Sequence, residues 1–530
     1  MTTPASPPSL PAPPFRRLLI ANRGEIAVRI IRACRELGIE TVAVYSEPDR
    51  DALHVRLADQ SVRLGPAPAS ESYLRADLIV DAALRCDATA IHPGYGFLSE
   101  RASFAEAVEA AGIVFVGPAP ATLAALGDKI EARRAAQAVG VPIVPGMFDP
   151  LPIDDASAIG QIESIAIEIG FPVLIKAAFG GGGRGMRRVD RREDLPAAIA
   201  SAAHEARQAF GDGSVYLERL VEGGRHIEVQ LLGDSLGEIV ALGERDCSTQ
   251  RRHQKLVEEA PAPGLSEQQR RDLHALAVTV ASSVGLRNAA TAEFLRAPDG
   301  SFYFLEVNAR LQVEHGVTEL VSGLDIVIEQ LFIAAGQPLS VAVRAAAAIA
   351  ATPRRHAIEL RISAEDPARE FAPVPGIVTR WREPGGPGVR IDSGIEQGWR
   401  VSGDYDPMLA KVLVVAADRA SALARARSAV AEFETGGVQT TLPFHAWLLS
   451  HPEFTEGRLR TDMVERDWRP EDLRAAAAQR AAAVVAAFAW SEDAGTEKGR
   501  PARLDGHSEW PGESGSAWRD AGRREATERW

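Results

Sequence analysis

Residues 16–46 constrain the fold more than any other part of the chain, because two short apolar runs flank an amphipathic helix there. The runs are RRLLIAN (16–22) and TVAVYS (41–46), and GEIAVRIIRACRELG between them carries apolar residues at helical spacing. A helical crossover of this kind joins strands that run in the same direction, whereas antiparallel strands need only a tight turn. The sequence therefore predicts a parallel sheet.

Further apolar runs extend this pattern along the chain. Ala88–His92 and Ile113–Val116 alternate with helical patterns, which predicts a Rossmann-like first domain to about residue 128. The helix DKIEARRAAQAVG ends at Gly140, before a connection, VPIVPG, that is typical of a hinge. A segment at about 145–217 is short enough for a mobile lid, and strand-rich sequence follows to about residue 465. We expect the Pro-rich residues 1–14 and the Ala-rich, charged residues 466–530 to be disordered or flexible.

Charge and composition exclude several classes of function. A formal net charge of −13 argues against nucleic-acid binding, which needs a surplus of Lys and Arg on one surface. Three scattered cysteines are too few for a disulfide framework or a zinc site, which favours a reducing compartment, the cytoplasm. The apolar runs are too short for a membrane span, so no membrane role is expected.

A predicted hairpin, Thr291–Arg310, carries two carboxylates that we expect to face each other. If residues 298–301 form a four-residue loop, Ala297 pairs with Phe302 and Glu293 lies directly opposite Glu306. Like charges at that spacing destabilise a sheet unless a proton or a cation lies between them. Oxygen ligands select Mg²⁺ or Mn²⁺. The alternative is a solvated outer face of an antiparallel sheet.

Strand alternation adds further polar groups to the same face. Glu306, Asn308 and Arg310 alternate with apolar residues, giving two candidate metal ligands and an anion binder. Glu314 follows four residues after the arginine. It is either the partner in a plain ion pair or, beside a substrate anion, a general base.

Two other polar segments are compatible with phosphate binding. Lys176 ends an apolar strand that leads into the glycines 180–183, whose backbone N–H groups can approach anionic oxygens; a flexible hairpin tip is the alternative. The charged stretch 244–255 would bring His253 and Lys255 to one side if it is extended, but a solvated loop is equally consistent with it. Cys247 in this stretch is expected to be a packing residue.

Together these segments closely resemble the biotin carboxylase family, the ATP-grasp subunit or domain of acyl-CoA carboxylases and pyruvate carboxylase. The similar stretches run in the family's order from about residue 15 to 465: ANRGEIAVRI, HPGYGFLSE, GDKI, the Lys176 strand with its glycines, ERDCSTQRRHQKLVEEAP, FYFLEVNARLQVEH, LRISAEDP and DYDPMLAK. The resemblance implies α/β and α+β architecture. Its expected parts are a Rossmann-like N-terminal domain (15–128), an ATP-grasp domain (129–340) with a mobile lid (about 145–217) and a β-rich C-terminal domain (341–465).

The resemblance also implies roles for individual residues. ATP and Mg²⁺ or Mn²⁺ are the implied cofactors, and Glu293, Glu306 and Asn308 are the implied metal ligands. The residues implied in nucleotide binding are Lys129, Lys176, Gly182, Gly183, Met186, Glu218, Arg219, Leu220, Val221, His226, Gln250, His253 and Leu295. Lys255, Arg310, Gln312 and Val313 resemble the bicarbonate pocket. Glu314 resembles the base that deprotonates bicarbonate, and Arg361 the residue that stabilises the biotin enolate.

The implied reaction is ATP- and bicarbonate-dependent carboxylation of biotin, the first half-reaction of an acetyl-CoA, propionyl-CoA or related carboxylase. No biotinylation motif such as Ala-Met-Lys-Met occurs, so we expect the biotin carrier protein to be a separate chain, together with a carboxyltransferase subunit. The family also implies a homodimer. The alternatives are another ATP-grasp carboxylate ligase and an inactive scaffold subunit. Three departures from the family pattern are expected to affect backbone flexibility rather than chemistry: Phe179 in place of a usual smaller residue, Asn288-Ala-Ala in place of the usual Gly-Ala-Gly, and Gly316 in place of a usual proline.

Overall fold

The computed structural model describes residues 13–127, 129–151, 156–177, 186–210, 213–252, 254–471, 474–475, 478–479 and 481–487. Its first region is the predicted parallel sheet with helices on both faces. The five strands lie in the order β3-β2-β1-β4-β5, the arrangement of a Rossmann-like unit. The elements are β1 Arg17–Ile20, α1 Gly24–Glu36, β2 Glu40–Ser46, α2 Leu53–Leu57, β3 Gln60–Gly65, α3 Ala76–Arg85, β4 Ala90–His92, α4 Ala102–Ala110, β5 Val114–Phe115, α5 Pro120–Gly127 and α6 Lys129–Ala138.

A small three-stranded antiparallel sheet with two helices follows. Its strands lie in the order β7-β6-β8, and the helices pack on it around a core that includes Val173, Ile175 and Leu217. The elements are α7 Ala156–Ile169, β6 Val173–Ala177, β7 Arg187–Val189, α8 Leu195–Phe210 and β8 Val215–Arg219. The glycines 180–183, which include the predicted site residues Gly182 and Gly183, lie outside the described residues.

An eight-stranded antiparallel sheet, β13-β12-β9-β10-β11-β14-β21-β19, forms the centre of the molecule. Its strands come from both sides of residue 340, so one sheet connects the ATP-grasp and C-terminal segments. The elements are β9 Arg225–Gly233, β10 Ile239–Arg251, β11 Gln254–Ala260, α9 Glu267–Ser283, β12 Asn288–Arg296, β13 Phe302–Asn308, α10 His315–Ser322, α11 Ile326–Ala334, α12 Val341–Ile349, β14 His356–Ser363, β19 Val389–Ser393 and β21 Met408–Ala416.

The remaining strands form three two-stranded sheets, and the last helices cover the far side of β14 and β21. These short pairs are β15-β16, β17-β20 and β18-β22. The elements are β15 Glu365–Asp366, β16 Ala372–Pro373, β17 Gly376–Ile377, β18 Arg380–Arg382, β20 Arg400–Val401, α13 Arg419–Glu432, β22 Glu434–Gly436, α14 Leu442–Leu448, α15 Pro452–Thr455 and α16 Met463–Asp467. No described helix is both long and apolar enough to cross a membrane.

The predicted hairpin forms, but its loop differs from the expected one. Ala297 N donates to Ser301 O at 2.8 Å, so the loop has three residues, and Arg296 rather than Ala297 pairs with Phe302. Gly300, with φ of +93°, supplies the left-handed residue that such a loop needs. A bulge at Leu305 then restores the register, so Glu293 does lie opposite Glu306. The expected Ala297–Phe302 pair is wrong, and the opposition of the two carboxylates is confirmed.

Two of the three departures from the family pattern have local explanations, whereas Phe179 lies outside the described residues. Asn288 adopts φ of +69°, a left-handed conformation that glycine and asparagine tolerate best. Its side chain also exchanges hydrogen bonds with Gln330 at 2.8 and 3.0 Å. At Gly316, an added Cβ would lie 2.3 Å from Leu413 Cδ2. The Leu413 side chain therefore fills the space that a side chain at position 316 would take.

Candidate functional site

A cavity of about 910 Å³ lies where three regions meet: the N-terminal parallel sheet, the small three-stranded sheet and the central antiparallel sheet. The N-terminal region contributes Asn22, Glu25 and Tyr95 to its wall, and the central sheet contributes most of the polar groups. Every predicted site residue whose side chain is described lines this one cavity. These residues are Lys176, Met186, Glu218, Arg219, Leu220, Val221, His226, Gln250, Lys255, Glu293, Leu295, Glu306, Asn308, Arg310, Gln312, Val313, Glu314 and Arg361.

The side chains of two other predicted residues are not described, and Gly182 and Gly183 also lie outside the described residues. His253 lies outside the described residues. Lys129 begins α6, but its side chain is not described.

Residues 244–250 of the charged stretch lie in a buried strand rather than in a solvated loop. Residues 239–251 form β10, and Glu244 to Gln250 are all buried within it. Cys247 is fully buried, and burial raises the pKa of its thiol well above the ordinary value, which fits the expected packing role. The solvated-loop interpretation is therefore wrong for residues 244–250, whereas Arg252, just after β10, and Gln254, at the start of β11, are exposed.

The candidate metal ligands meet at the end of the cavity formed by β12 and β13. Asn308 Nδ2 donates to Glu293 Oε1 at 2.9 Å, and Glu306 is the register partner of Glu293 across the hairpin. The Glu293 side chain is only 10 % exposed, so the interpretation of a solvated outer face is also wrong. Burial alone would raise the pKa of Glu293, but the Lys255 ammonium and the His226 imidazole hold it well below the ordinary value. An ionised carboxylate beside a second carboxylate and an amide is an oxygen-rich set that suits a hard divalent cation.

Lys255 connects this metal end of the cavity to the candidate base. Its Nζ lies 3.1 Å from Glu293 Oε1, 2.6 Å from Glu314 Oε1 and 2.5 Å from Glu228 Oε2. Burial disfavours the ammonium form, but three carboxylates outweigh that effect and raise the pKa of Lys255 well above its ordinary value. A permanent cation therefore lies between the metal ligands and Glu314.

Glu314 is held by two cations. Besides Lys255, the Arg361 guanidinium donates to Glu314 Oε2 at 2.8 Å. Burial would raise the pKa of Glu314, but Lys255, Arg361 and Arg245 lower it well below the ordinary value. The carboxylate is thus ionised at neutral pH and able to accept a proton.

Arg310 and Gln312 complete the polar wall beside Glu314. Arg310 donates to Asn308 Oδ1 at 3.1 Å, and its Nε lies 3.0 Å from Glu100 Oε2. The Gln312 side chain is 4 % exposed, and within the described part of the chain its Nε2 has no hydrogen-bond partner. A buried amide donor without a partner costs free energy unless a ligand accepts from it, so this atom marks a position for an acceptor.

The opposite end of the cavity is formed by the small three-stranded sheet. Lys176, on β6, forms an ion pair with Glu218, which also pairs with Arg133 at 2.7 Å. Met186 and Leu295 add apolar surface there. This end has apolar surface beside charged groups, a combination suited to a nucleotide with a planar base and phosphates.

Several residues of the site were not found from the sequence. Arg245 is fully buried and donates to Glu228 Oε1 at 2.6 Å and to Gln230 Oε1 at 2.8 Å. Glu228 in turn binds Lys255, so Arg245 supports the centre of the site from behind. Strand β9, RHIEVQLLG, carried a signal, because His226, Glu228 and Gln230 alternate with apolar residues.

Three family models match the chain in succession. They are the N-terminal domain of biotin carboxylase (residues 14–123), the ATP-binding domain of the carbamoyl-phosphate synthase L chain (128–342) and the C-terminal domain of biotin carboxylase (359–466). The matched segments cover most of the chain and all three regions that form the cavity.

Individual relatives agree with the family models. A biotin carboxylase of Allochromatium vinosum is 50 % identical over 452 residues, 85 % of this chain and 98 % of that protein. The biotin-dependent acyl-coenzyme A carboxylase alpha3 subunit of Mycobacterium leprae is 47 % identical over 456 residues, 85 % and 74 % of the two chains. Among solved structures, the biotin carboxylase domain dimer of Hydrogenobacter thermophilus 2-oxoglutarate carboxylase is 43 % identical, with a TM-score of 0.79. That comparison covers 85 % of this chain and 97 % of the other, whose structure holds MgADP, ADP and bicarbonate.

Proposed function

Since the chain belongs to the biotin carboxylase family of ATP-grasp ligases, we propose that it uses MgATP and bicarbonate to carboxylate biotin on a separate carrier protein. The observation that carries this proposal is the position of Lys255. One ammonium lies within 3.1 Å of Glu293, a candidate metal ligand, and within 2.6 Å of Glu314, the candidate base. A phosphoryl group and a small oxyanion bound on either side of that cation would be in reach of each other.

The metal and nucleotide end would prepare ATP for phosphoryl transfer. Glu293, Glu306 and Asn308 fit a divalent cation, which would neutralise charge on the transferring phosphate. Lys176 and the residues Glu218 to Val221, which line the cavity, are proposed to bind the nucleotide. Lys129, Gly182, Gly183, Gln250 and His253 are proposed to contribute with them. Lys255 would exchange part of its carboxylate contacts for phosphate oxygens.

The first chemical step would join bicarbonate to phosphate. A bicarbonate oxygen attacks the γ-phosphorus of ATP, the bond to the β-phosphate oxygen breaks, and the products are carboxyphosphate and ADP. Glu314 accepts the proton that bicarbonate loses. Arg310, Gln312 and the backbone of Val313 would hold the anion, and the Gln312 Nε2 group without a partner among the described residues supplies a donor for it.

The second step would carboxylate biotin. Carboxyphosphate breaks into CO2 and phosphate, and the phosphate removes the proton from the ureido nitrogen of biotin. The nitrogen then forms a bond to the carbon of CO2. Arg361 and Arg310, which line the same cavity, would stabilise the negative charge on the ureido oxygen.

The wider assembly is proposed from the same likeness. We propose that residues 15–128, 129–340 and 341–465 act as N-terminal, ATP-grasp and C-terminal domains of a homodimeric subunit. An acyl-CoA carboxylase, with acetyl-CoA or propionyl-CoA as acceptor, is the favoured context, because the Mycobacterium leprae relative is named as an acyl-coenzyme A carboxylase subunit. A carboxyltransferase subunit would then receive the carboxybiotin.

The direct test measures ATP cleavage by the purified chain with and without bicarbonate and free biotin. We expect cleavage to require bicarbonate, and biotin to be converted to carboxybiotin. Cleavage that ignores bicarbonate would indicate a different ATP-grasp ligase. The absence of any cleavage, with nucleotide still bound, would indicate a scaffold.

The metal assignment has its own test. We expect Glu306→Gln to raise the Mg²⁺ concentration needed for half-maximal activity by about 10- to 100-fold or more, since even outer partners of metal ligands contribute that much to affinity. Glu306→Gln changes one charge and little volume, and Glu267→Gln, on the exposed start of α9, is the matched control. An unchanged Mg²⁺ requirement in Glu306→Gln would contradict the metal site.

A further inference from the structure

Two neighbouring glutamates on β11 point to opposite faces of the central sheet. Both are buried, Glu258 with no exposed surface and Glu259 with 1 %. Glu258 faces the cavity side, where Arg361 Nε donates to its Oε1 at 2.6 Å. Glu259 faces away and binds Arg419 at 2.7 and 3.0 Å and His356 at 2.7 Å. The pair therefore has the same chemistry in two different surroundings.

Arg361 lies between the carboxylates of Glu314 and Glu258, of which only Glu314 lines the cavity. Its Nη2 donates to Glu314 Oε2 at 2.8 Å, and Glu314 lines the cavity, whereas Glu258 lies behind the wall. In the proposed reaction Glu314 becomes neutral when it accepts the bicarbonate proton, and its hold on Arg361 then weakens. Glu258 has no contact with the substrate that would neutralise it, so its bond to the guanidinium can persist through that step.

We propose that Glu258 is a positioning residue that holds the Arg361 guanidinium toward biotin while Glu314 accepts the bicarbonate proton. This inference rests on the proposed function, and in particular on the role of Arg361. An arginine with one fixed partner keeps its orientation, while an arginine with two exchanging partners would turn with whichever carboxylate is charged. The position of the guanidinium matters because a misplacement of about 1 Å can cost roughly 100-fold in rate.

The charges around Glu258 support a positioning role for Glu258 and a proton-accepting role for Glu314. Arg361, Glu314 and Lys255 act on it, and Glu359 is its register partner on β14. Burial, together with the negative charge of Glu314, raises the pKa of Glu258 to about 7, although Arg361 and Lys255 oppose the rise. Burial raises the pKa of Glu359 well above its ordinary value, and among the described residues neither of its carboxyl oxygens has a hydrogen-bond partner, whereas Arg361 donates to Glu258 and Glu314.

The test compares Glu258→Gln with Glu259→Gln. In Glu258→Gln we expect biotin carboxylation to fall about 10- to 100-fold. We also expect bicarbonate-dependent ATP cleavage and the KM for ATP to stay within about two-fold, because Arg361 acts on biotin after carboxyphosphate forms. Glu259→Gln should lower the thermal midpoint and leave the ratio of carboxylation to ATP cleavage unchanged. Wild-type carboxylation by Glu258→Gln, or an equal loss in both variants, would overturn the proposal.

The pH dependence of the wild-type protein provides a second readout that does not require a stable variant. As pH falls through about 7, Glu258 takes up a proton and its hold on Arg361 weakens. The ratio of biotin carboxylation to ATP cleavage should therefore fall between pH 8 and pH 6, and using the ratio cancels changes in bicarbonate supply. A ratio that is flat over this range would refute the role of Glu258. A wild-type protein without bicarbonate-dependent cleavage would instead refute the proposed function itself.

Discussion

The N-terminal parallel sheet and the central antiparallel sheet are both buried, but their buried surfaces differ in chemistry. In β1, Leu18, Leu19 and Ile20 have no exposed surface and contact apolar neighbours on both faces. In the central sheet, Glu228, Arg245, Glu258, Glu359 and Lys411 are equally inaccessible to solvent. Both sheets bury hydrocarbon, but the central sheet also buries these five charged groups completely.

This difference separates what stabilises the fold from what performs the chemistry. Burial of apolar surface stabilises by about 25 cal/mol per Å², so the first sheet contributes directly to folding. A buried ion pair contributes little net stability, since desolvation offsets the attraction, whereas loss of one partner is costly. Charges that cost free energy to bury, and that surround a cavity, are retained for what they do there.

The largest expected effect is on catalysis, from a change in the central sheet region. We expect Glu314→Gln to lower bicarbonate-dependent turnover by about 100- to 10,000-fold, the usual contribution of a general base, with nucleotide binding retained. The matched control is Glu319→Gln, five residues along, where a buried glutamate binds Arg29 at 2.8 Å and Arg390 at 2.7 Å away from the cavity. Steady-state kinetics and nucleotide titration measure both.

This pair of variants also tests the contrast within the charged region. Glu319→Gln should lower stability and leave turnover per folded molecule close to wild type. If Glu319→Gln lost as much turnover as Glu314→Gln, turnover would depend on buried charge throughout this region. The loss in Glu314→Gln would then not identify Glu314 as part of the site.

Sequence periodicity predicted the parallel sheet correctly, because apolar strands that alternate with helices leave a strong signal. The opposition of Glu293 and Glu306 was also predicted, although two features absent from the prediction, a three-residue loop and a bulge, cancelled each other. Polar alternation indicates which residues share a face of a strand. It does not predict that Glu258 would meet Arg361, because that contact depends on how strands 103 residues apart are paired.

A second prediction tests the apolar sheet. We expect Leu19→Ala to destabilise the protein by about 2–5 kcal/mol, through lost burial and the cavity left behind. Turnover per folded molecule should stay at the wild-type value, because Leu19 contacts neither the cavity nor its ion pairs. Denaturant unfolding and active-site titration measure the two quantities. A variant that folds fully but has an altered KM for bicarbonate would show that the N-terminal sheet does more than support the fold.

The smallest effect is a pH dependence of stability with opposite signs in the two regions. Burial lowers the pKa of His54, beside β2, from 6.5 to about 4, so the unfolded chain binds more protons between these values and stability falls as pH drops below 6.5. Burial raises the pKa of Glu258 from 4.5 to about 7, so the folded chain binds more protons and stability rises as pH drops below 7. Each group contributes at most one proton, or about 1.4 kcal/mol per pH unit.

The two contributions can be separated by variants that do not titrate. His54→Gln should lose less stability than wild type between pH 6.5 and pH 4.5, because its side chain remains neutral in both the folded and the unfolded state. Glu258→Gln should lose more than wild type over the same range, because it lacks the compensating uptake of a proton by the folded protein. Denaturant midpoints at the two pH values measure both differences. If both variants lost less stability than wild type between the two pH values, the Glu258 carboxyl would be ionised in the folded protein. The two regions would then differ in their effect on activity but not in the pH dependence of stability.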